Sequence, residues 1–133
     1  GRFKAFIDAT LTYQHNSGTW YQVTDLGSRE GNYLEASGTA MLTYAMAKGA
    51  SLKFLPEEYK AHAEKGFAGL LDQMISVNPD TNVISLEQVC AVAGLGGNPY
   101  RDGSFDYYMS EPIRANDAKG VGPFILAAHY LNK

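Results

Sequence analysis

The sequence predicts an all-α fold, organised as part of a toroid of helical hairpins with short extended segments between the helices. Apolar residues recur at helical spacing in several stretches, and one of these stretches is unusually rich in small residues. The segments of extended character are too short to build a large sheet. Because 45% of the 133 residues are hydrophobic, residues 1–133 can bury a sizeable core as a single domain.

The chain opens on a predicted amphipathic helix over residues 3–15. No capping residue precedes it, which indicates either a chain cut within a larger fold or a boundary chosen for expression. Gly18 then predicts a turn, and Trp20 begins a short extended piece. Trp20 has two interpretations, a stacking platform for a sugar ring and an apolar plug between helices, of which the plug is the more common.

The middle of the chain predicts an inner and an outer helix. Residues 25–32 form a glycine-containing loop, and residues 33–49 form a helix whose many small side chains allow neighbours to approach on more than one side. Glu35 at its start favours the positive end of the helix dipole. Pro56 opens a third helix that keeps a solvated charged face, as an outer helix does.

The last part of the chain predicts turns followed by a second inner helix. Residues 78–80 form a turn, residues 83–86 are extended and residues 91–102 form a glycine-rich loop. A final helix runs from about residue 120 to residue 131. Inner and outer helices therefore alternate, as in a toroid of helical hairpins, and the loops that enter the inner helices face one mouth.

Composition excludes several classes of protein. Only 19% of residues are charged, the net charge is -3 and the basic residues are scattered, which argues against a nucleic-acid partner. No apolar run approaches the roughly 20 residues of a membrane span. The three histidines lack ligand spacing, so we expect no metal and no cofactor. The single cysteine, Cys90, is interpreted as a small buried side chain and leaves the redox compartment undetermined.

Several motifs along the chain together resemble a known group of enzymes. In chain order they are Trp20-Tyr21-Gln22-Val23-x-Asp25, Gly31-Asn32-Tyr33-Leu34-Glu35-Ala36-Ser37, Gly94-Leu95-Gly96-Gly97, Tyr100-Arg101-Asp102-Gly103-Ser104, Tyr107-Tyr108-x-Ser110-Glu111-Pro112 and Asn116-Asp117-x-Lys119-Gly120-Val121-Gly122-Pro123-Phe124. The chain resembles glycoside hydrolase families 88 and 105, the unsaturated glucuronyl and rhamnogalacturonyl hydrolases, and the rhamnogalacturonyl branch most closely.

The resemblance implies an (α/α)6 barrel, of which this chain is roughly the C-terminal third. It implies a glycosidase that releases 4,5-unsaturated uronic acid from oligosaccharides made by polysaccharide lyases of the pectin or rhamnogalacturonan type. A carboxylic acid protonates the enol-ether double bond, water adds, and the hemiketal that forms opens. The resemblance is compatible with the bacterial cytoplasm, the periplasm or secretion, and it leaves the exact uronide, linkage and aglycone open.

The resemblance also implies what this chain does not carry. The family's catalytic aspartates lie in its N-terminal half, so we expect no catalytic residue here and no activity of this chain alone. We expect an oligosaccharide partner in the full-length protein and self-association through exposed inner helices. A non-catalytic helical module that binds sugar or protein is the alternative function.

Five residues are candidates for substrate binding, namely Lys119, Asp117, Trp20, Arg101 and Glu111. Lys119 can pair with a sugar carboxylate, whereas Asp117 also fits an N-cap of the last helix. Arg101 also fits an ion pair with the neighbouring aspartate that braces the loop around an Asp-Gly turn. Glu111 precedes a proline and should be extended, either bracing the mouth loop or facing the cleft. The two tyrosines at 107 and 108 would point to opposite sides if their segment is extended.

Overall fold

The computed structural model describes residues 1–133 as five α-helices joined by loops with very short strands. The helices are α1 (Arg2–Leu11), α2 (Ala36–Ser51), α3 (Tyr59–Met74), α4 (Phe105–Ser110) and α5 (Ala118–Leu131). A single turn of 3-10 helix covers Thr24–Leu26. The predicted all-α class is therefore confirmed, and none of the helices is long and apolar enough to cross a membrane.

The extended segments pair locally into three two-stranded antiparallel ladders. In order of pairing they are β1 (Trp20–Tyr21) with β2 (Leu34–Glu35), β3 (Ile75–Val77) with β4 (Ile84–Leu86), and β5 (Val89–Cys90) with β6 (Ile113–Arg114). In each ladder, both strands lie in the same long connection: β1 and β2 in the connection before α2, and the other four strands between α3 and α5. As the sequence predicts, the strands do not assemble into a larger sheet.

Helix α2 lies at the centre of the fold and packs against both α3 and α5. Apart from Met46, its buried positions are small or short, including Ala36, Ala40 and Ala47, so neighbouring backbones can come close. A Cβ added at Gly66 of α3 would lie 2.4 Å from the Thr43 hydroxyl oxygen, which shows how tight the α2–α3 contact is. This agrees with the predicted inner helix that is covered on more than one side.

The core divides into two clusters along α2. One surrounds the C-terminal half of α2 and includes Ile7, Trp20 and Met46. The other surrounds the N-terminal half and includes Leu70 and Val89, with the stacked rings of Phe67 and Phe124 at its border. The second cluster ties the ladder of β5 and β6 to the helices, and this fixes the loops at the start of α5.

Three predicted element boundaries are corrected by the structure. Helix α1 ends at Leu11 instead of residue 15, and α2 begins at Ala36 because Leu34–Glu35 pairs with β1. Helix α3 begins at Tyr59 instead of Pro56. Residues 105–110, for which no helix was predicted, form α4, since the Ser104 hydroxyl accepts a bond from the Tyr107 N–H at 3.1 Å and caps a helix. Tyr107 and Tyr108 are therefore neighbours on a short helix, with ring centroids 5.1 Å apart.

The two ends of the helix bundle differ in the connections they carry. Helices α2 and α5 run parallel, because Gly120 lies beside Ser37 at their starts and Tyr130 lies beside Tyr44 further along. The long connections 12–35 and 75–117 enter α2 and α5 at one end, which we name the mouth end. The short connection 52–58 from α2 to α3 lies at the opposite end, which we name the turn end.

Candidate functional site

The mouth end is anchored by the buried carboxylate of Glu35, which is 5% exposed. It caps α2 by accepting from the N–H groups of Ser37 at 3.0 Å and Gly38 at 2.6 Å. It also accepts from the Ser37 hydroxyl at 2.7 Å and from the Cys90 N–H at 2.9 Å. A charge this far from water is stable only with such a set of donors. Glu35 therefore fastens β5 to the start of α2, a larger role than the dipole contact predicted from sequence.

A polar cluster surrounds this anchor. Cys90 is 5% exposed, which confirms its interpretation as a small buried side chain. Its sulfur accepts from the Gln22 amide at 3.3 Å and donates to the Val92 carbonyl at 3.2 Å. The hydroxyl of Tyr33 is buried without a hydrogen-bond partner, and burial, together with the Cys90 thiol, raises the pKa of Tyr33. This hydroxyl is thus held neutral deep in the wall of the mouth.

Asp117 and Lys119 form an ion pair at the start of α5. One Asp117 carboxylate oxygen accepts from the Lys119 N–H at 3.1 Å, so the predicted N-cap is confirmed. The other oxygen lies 2.9 Å from the Lys119 ammonium. The hydrogen bonds from Lys119, aided by the nearby Arg114 cation, hold the pKa of Asp117 below its ordinary value. The result is a half-exposed ammonium whose position is fixed by a helix cap.

Arg101 braces the glycine-rich loop, although not through the ion pair expected with its neighbour. Its Nε donates to the Gly96 carbonyl at 3.0 Å, and backbone bonds join the same two residues. A Cβ at Gly94 would meet the guanidinium at 2.9 Å, so glycine lets the side chain lie against the loop. The predicted pairing with Asp102 is wrong, because that carboxylate accepts instead from the Ser104 N–H at 2.9 Å. The expected Asp-Gly turn is present, with Gly103 at a φ of +72°.

Arg101 and Glu111 meet in one open cavity of about 480 Å³ at the mouth end. Its lining consists of Val92, Asn98, Pro99, Tyr100, Arg101, Tyr107, Ser110 and Glu111. Glu111 has an extended backbone, as its position before a proline predicts. Its carboxylate raises the pKa of Tyr107, whose hydroxyl also accepts from the Gly94 N–H at 3.2 Å. The cavity thus combines a cation, a carboxylate and two phenol rings, which suits a polar ring with hydroxyl groups.

Trp20 is not part of this cavity, and its prediction as a sugar platform is corrected. The side chain is 2% exposed and packs in the core beside Ile7 and Met46. Its indole N–H donates to the Thr10 carbonyl at 2.7 Å, near the end of α1. With both faces buried, the ring cannot stack on a ligand, so the alternative interpretation as an apolar plug is the one the structure shows.

The five candidates therefore separate into three groups. Arg101 and Glu111 share the mouth cavity, Asp117 and Lys119 form a pair at the start of α5, and Trp20 is core. Strand β6 links the first two groups along the chain, since it lies between Glu111 and Asp117. No group of three or more His, Cys, Asp or Glu side chains is arranged to hold a metal ion.

Sequence reasoning undervalued two mouth residues, Glu35 and Tyr107. Glu35 stands directly before a helix of small residues, but glutamate is not a preferred N-cap residue, so the sequence carries no specific signal for its buried capping role. Tyr107 could have been found from Ser104, since a serine three residues ahead, with an acid between, is a helix-start signal.

Comparison with known proteins places these features in a family. The sequence profile described as Glycosyl Hydrolase Family 88 matches residues 1–133. "Protein Atu3128" of Agrobacterium fabrum is 39% identical over 132 residues, which is 95% of this chain and 56% of that protein. The "24.9 kDa protein in picA locus" of Rhizobium radiobacter matches with the same identity and coverage. The chain thus spans about half the length of the curated relatives that it matches.

Solved structures give the same result. A family 105 glycoside hydrolase of C. acetobutylicum superposes with a TM-score of 0.90 at 49% identity, over 95% of this chain and 35% of that one. A protein of Salmonella enterica serovar Paratyphi A, described as a possible member of the GH105 family, gives a TM-score of 0.73 at 25% identity, over 97% of this chain and 30% of that one. This chain belongs to glycoside hydrolase family 88/105, of whose members it represents only a part.

Proposed function

We propose that this chain forms part of the wall and one side of the mouth of an (α/α)6-barrel glycosidase that releases 4,5-unsaturated uronic acid from lyase-generated pectin or rhamnogalacturonan oligosaccharides. The observation that carries the proposal is the arrangement at the mouth end of a family 88/105 chain. There a carboxylate-and-guanidinium cavity and a fixed ammonium flank the same short strand, β6. The alternation of a central α2, an outer α3 and a parallel α5 supports the barrel.

The charges at the mouth support the proposed substrate class. A uronic acid carries one carboxylate and several hydroxyls. The Lys119 ammonium has three N–H donors and one partner, Asp117, among the side chains, so it can also bind a sugar carboxylate. Arg101 retains the terminal nitrogens of its guanidinium for the same purpose, because only its Nε donates within the loop. Glu111 can accept bonds from sugar hydroxyls.

The chemistry proposed for the whole enzyme is protonation of the enol-ether double bond, addition of water, and opening of the hemiketal. Two of the carboxyls at this mouth, those of Asp117 and Glu35, are poorly placed to donate that proton. Asp117 is held ionised by Lys119, and Glu35 is enclosed by its own donors. We therefore propose that the catalytic aspartates come from a part of the enzyme outside residues 1–133, and that this chain binds and positions sugar without turnover.

The test is to offer this chain an unsaturated galacturonyl-rhamnose disaccharide, following both binding by calorimetry and loss of the ultraviolet absorbance of the conjugated acid. We expect binding without turnover. Lys119→Gln should weaken binding, whereas Lys65→Gln, at an exposed position on α3, should not. Steady loss of the absorbance would refute catalytic incompleteness, and equal binding by both variants would remove Lys119 from the site.

We also propose that the chain self-associates through apolar faces that this fold leaves open. Phe6 on α1 is 57% exposed and Ile125 on α5 is 60% exposed. Apolar surface of this kind favours association in water. Light scattering at high protein concentration should show a dimer or larger species, and a monodisperse monomer would refute the proposal.

A further inference from the structure

The largest cavity of the chain lies at the turn end, opposite the mouth. It has a volume of about 670 Å³ and is formed where α2 and α5 finish and the connection 52–58 leads into α3. Helix α2 has 16 residues, which at about 1.5 Å of rise per residue separates this cavity from the mouth by roughly 24 Å. It is therefore a different place from the site described above.

This cavity is lined by more positive than negative charge, although the whole chain has a net charge of -3. Lys53, Lys60 and Lys133 line it, against the single carboxylate of Glu57. Lysines at the end of a helix often only complement its dipole. That explanation covers Lys53 and Lys133, which directly follow the C-caps of α2 and α5, but not Lys60, which lies in the first turn of α3. Lys60 therefore adds an ammonium group beside the cavity that no helix C-terminus accounts for.

Aromatic rings stand beside these cations. Phe54 lines the cavity and is 72% exposed, so its ring is accessible to a ligand. Tyr130 lines it too, with the Lys133 ammonium 4.6 Å and the Lys48 ammonium 5.8 Å from its ring centroid. Flat rings next to ammonium groups offer one surface for an apolar sugar face and another for an acidic substituent.

We propose that this cavity is a second binding site, for an oligosaccharide that carries carboxylate groups. The Glu57 carboxylate in the lining of the cavity can accept bonds from sugar hydroxyls. Inorganic phosphate has no apolar face to place on the rings of Phe54 and Tyr130. Lysines give point charges without the paired geometry that selects phosphate, and this suits carboxylates spaced along a flexible chain. The proposal does not depend on the function proposed for the mouth.

The experiment titrates the native chain with saturated trigalacturonate, which has no double bond to hydrate, and follows backbone amide shifts by NMR. Maltotriose is the neutral probe and inorganic phosphate is the small anion. Phe54→Ala and the double variant Lys60→Gln/Lys133→Gln alter exposed or half-exposed side chains and should fold normally. Each titration is repeated in a Lys119→Gln background, which separates the mouth from the turn end.

We expect trigalacturonate to shift amides of the connection 52–58, and each turn-end variant to weaken that binding by at least roughly fivefold. The shifts should persist in the Lys119→Gln background and shrink at high salt. The proposal would be overturned by an absence of shifts at the turn end, by equal binding of maltotriose or phosphate there, or by turn-end shifts that vanish with Lys119→Gln alone. If no sugar binds at the mouth, the amide shifts at the turn end can still be measured and interpreted.

Discussion

A single added methyl group at Gly69 should destabilise the whole domain. Gly69 is buried on α3, facing the turn that follows α1. A Cβ at this position would lie 2.3 Å from the Ser17 carbonyl oxygen and 2.8 Å from the Thr19 methyl carbon. Because the first of these atoms belongs to the backbone, a change of rotamer cannot relieve the contact.

The magnitude depends on how firmly the turn is held. The His15 N–H donates to the Thr19 carbonyl at 2.8 Å, and the Gly18 N–H donates to the His15 carbonyl at 2.8 Å. The hydroxyls of Ser17 and Thr19 are 2.8 Å apart. A turn held by these bonds cannot move far to relieve the clash. The destabilisation from the added methyl group should therefore lie at the upper end of the usual range for overpacking, about 3 kcal/mol. Because alanine has a higher helix propensity than glycine, the substitution also stabilises the helix by about 1 kcal/mol. The free energy of unfolding should therefore fall by about 2 kcal/mol in total.

The matched control is Gly122→Ala on α5, where an added Cβ meets no atom within 4 Å. The gain in helix propensity is opposed by the following Pro123, which disfavours a helical backbone at a preceding residue with a Cβ, so we expect a change smaller than about 1 kcal/mol. Urea unfolding can be followed by the fluorescence of Trp20, the single tryptophan, which is buried near the same turn. The loss at Gly69→Ala should lower the melting temperature by roughly 5–10 °C. A Gly69→Ala variant as stable as the native chain would refute this account of the α3 contact.

Three further predictions concern the mouth and the core. Glu35→Gln replaces one oxygen with an amide that faces N–H donors, including that of Cys90, and should destabilise the chain by about 1–3 kcal/mol in the same urea assay; an unchanged midpoint would exclude the anchoring role. Trp20→Phe should cost about 1–3 kcal/mol through its lost hydrogen bond and volume while leaving sugar binding unaltered, and weakened binding would restore the platform interpretation. Because the pKa of Asp117 is lowered in the folded chain, its contribution is present above the ordinary carboxyl pKa and is lost as pH falls through the folded value. When the pH is lowered from about 7 to about 3, the Asp117→Asn variant should therefore lose less stability than the native chain. Urea unfolding midpoints of both proteins, measured at each pH, test this difference.

The helical part of the fold was predictable because its signals are periodic. The small side chains of α2 and the apolar stripe of α3 are repeated over several turns, so errors at single residues average out. Boundaries were less predictable, because α1 ends where the Trp20 indole binds the Thr10 carbonyl, a contact between segments that local sequence does not contain. The helix α4 was missed since its start depends on one capping serine over a very short span.

The site was predictable in residue type but not in partnership. Sequence placed an acid and a cation at the start of α5, and the structure pairs Asp117 with Lys119 there. By contrast, Arg101 was expected to pair with the neighbouring aspartate, and it lies instead across the glycines of its own loop. Adjacent residues of opposite charge do not share a face in a turn, whereas a long guanidinium side chain reaches back several residues. Which charged side chains pair with each other therefore depends on the geometry of the loop, and the residue types alone do not predict it.

The division of the chain into a mouth end and a turn end has a simple physical origin. An inner helix such as α2 is packed against neighbours on several sides, and only Met41 and its last residue, Ser51, are exposed, so its flanks have little room for polar chemistry. Long connections collect where the outer helices return to the inner ones, and there Glu35 and Asp117 cap the starts of α2 and α5. The same caps that satisfy the backbone N–H groups also fix the loops bearing Arg101 and Glu111. Stability and site geometry at the mouth therefore depend on the same carboxylates, and a variant that loosens either cap should alter both.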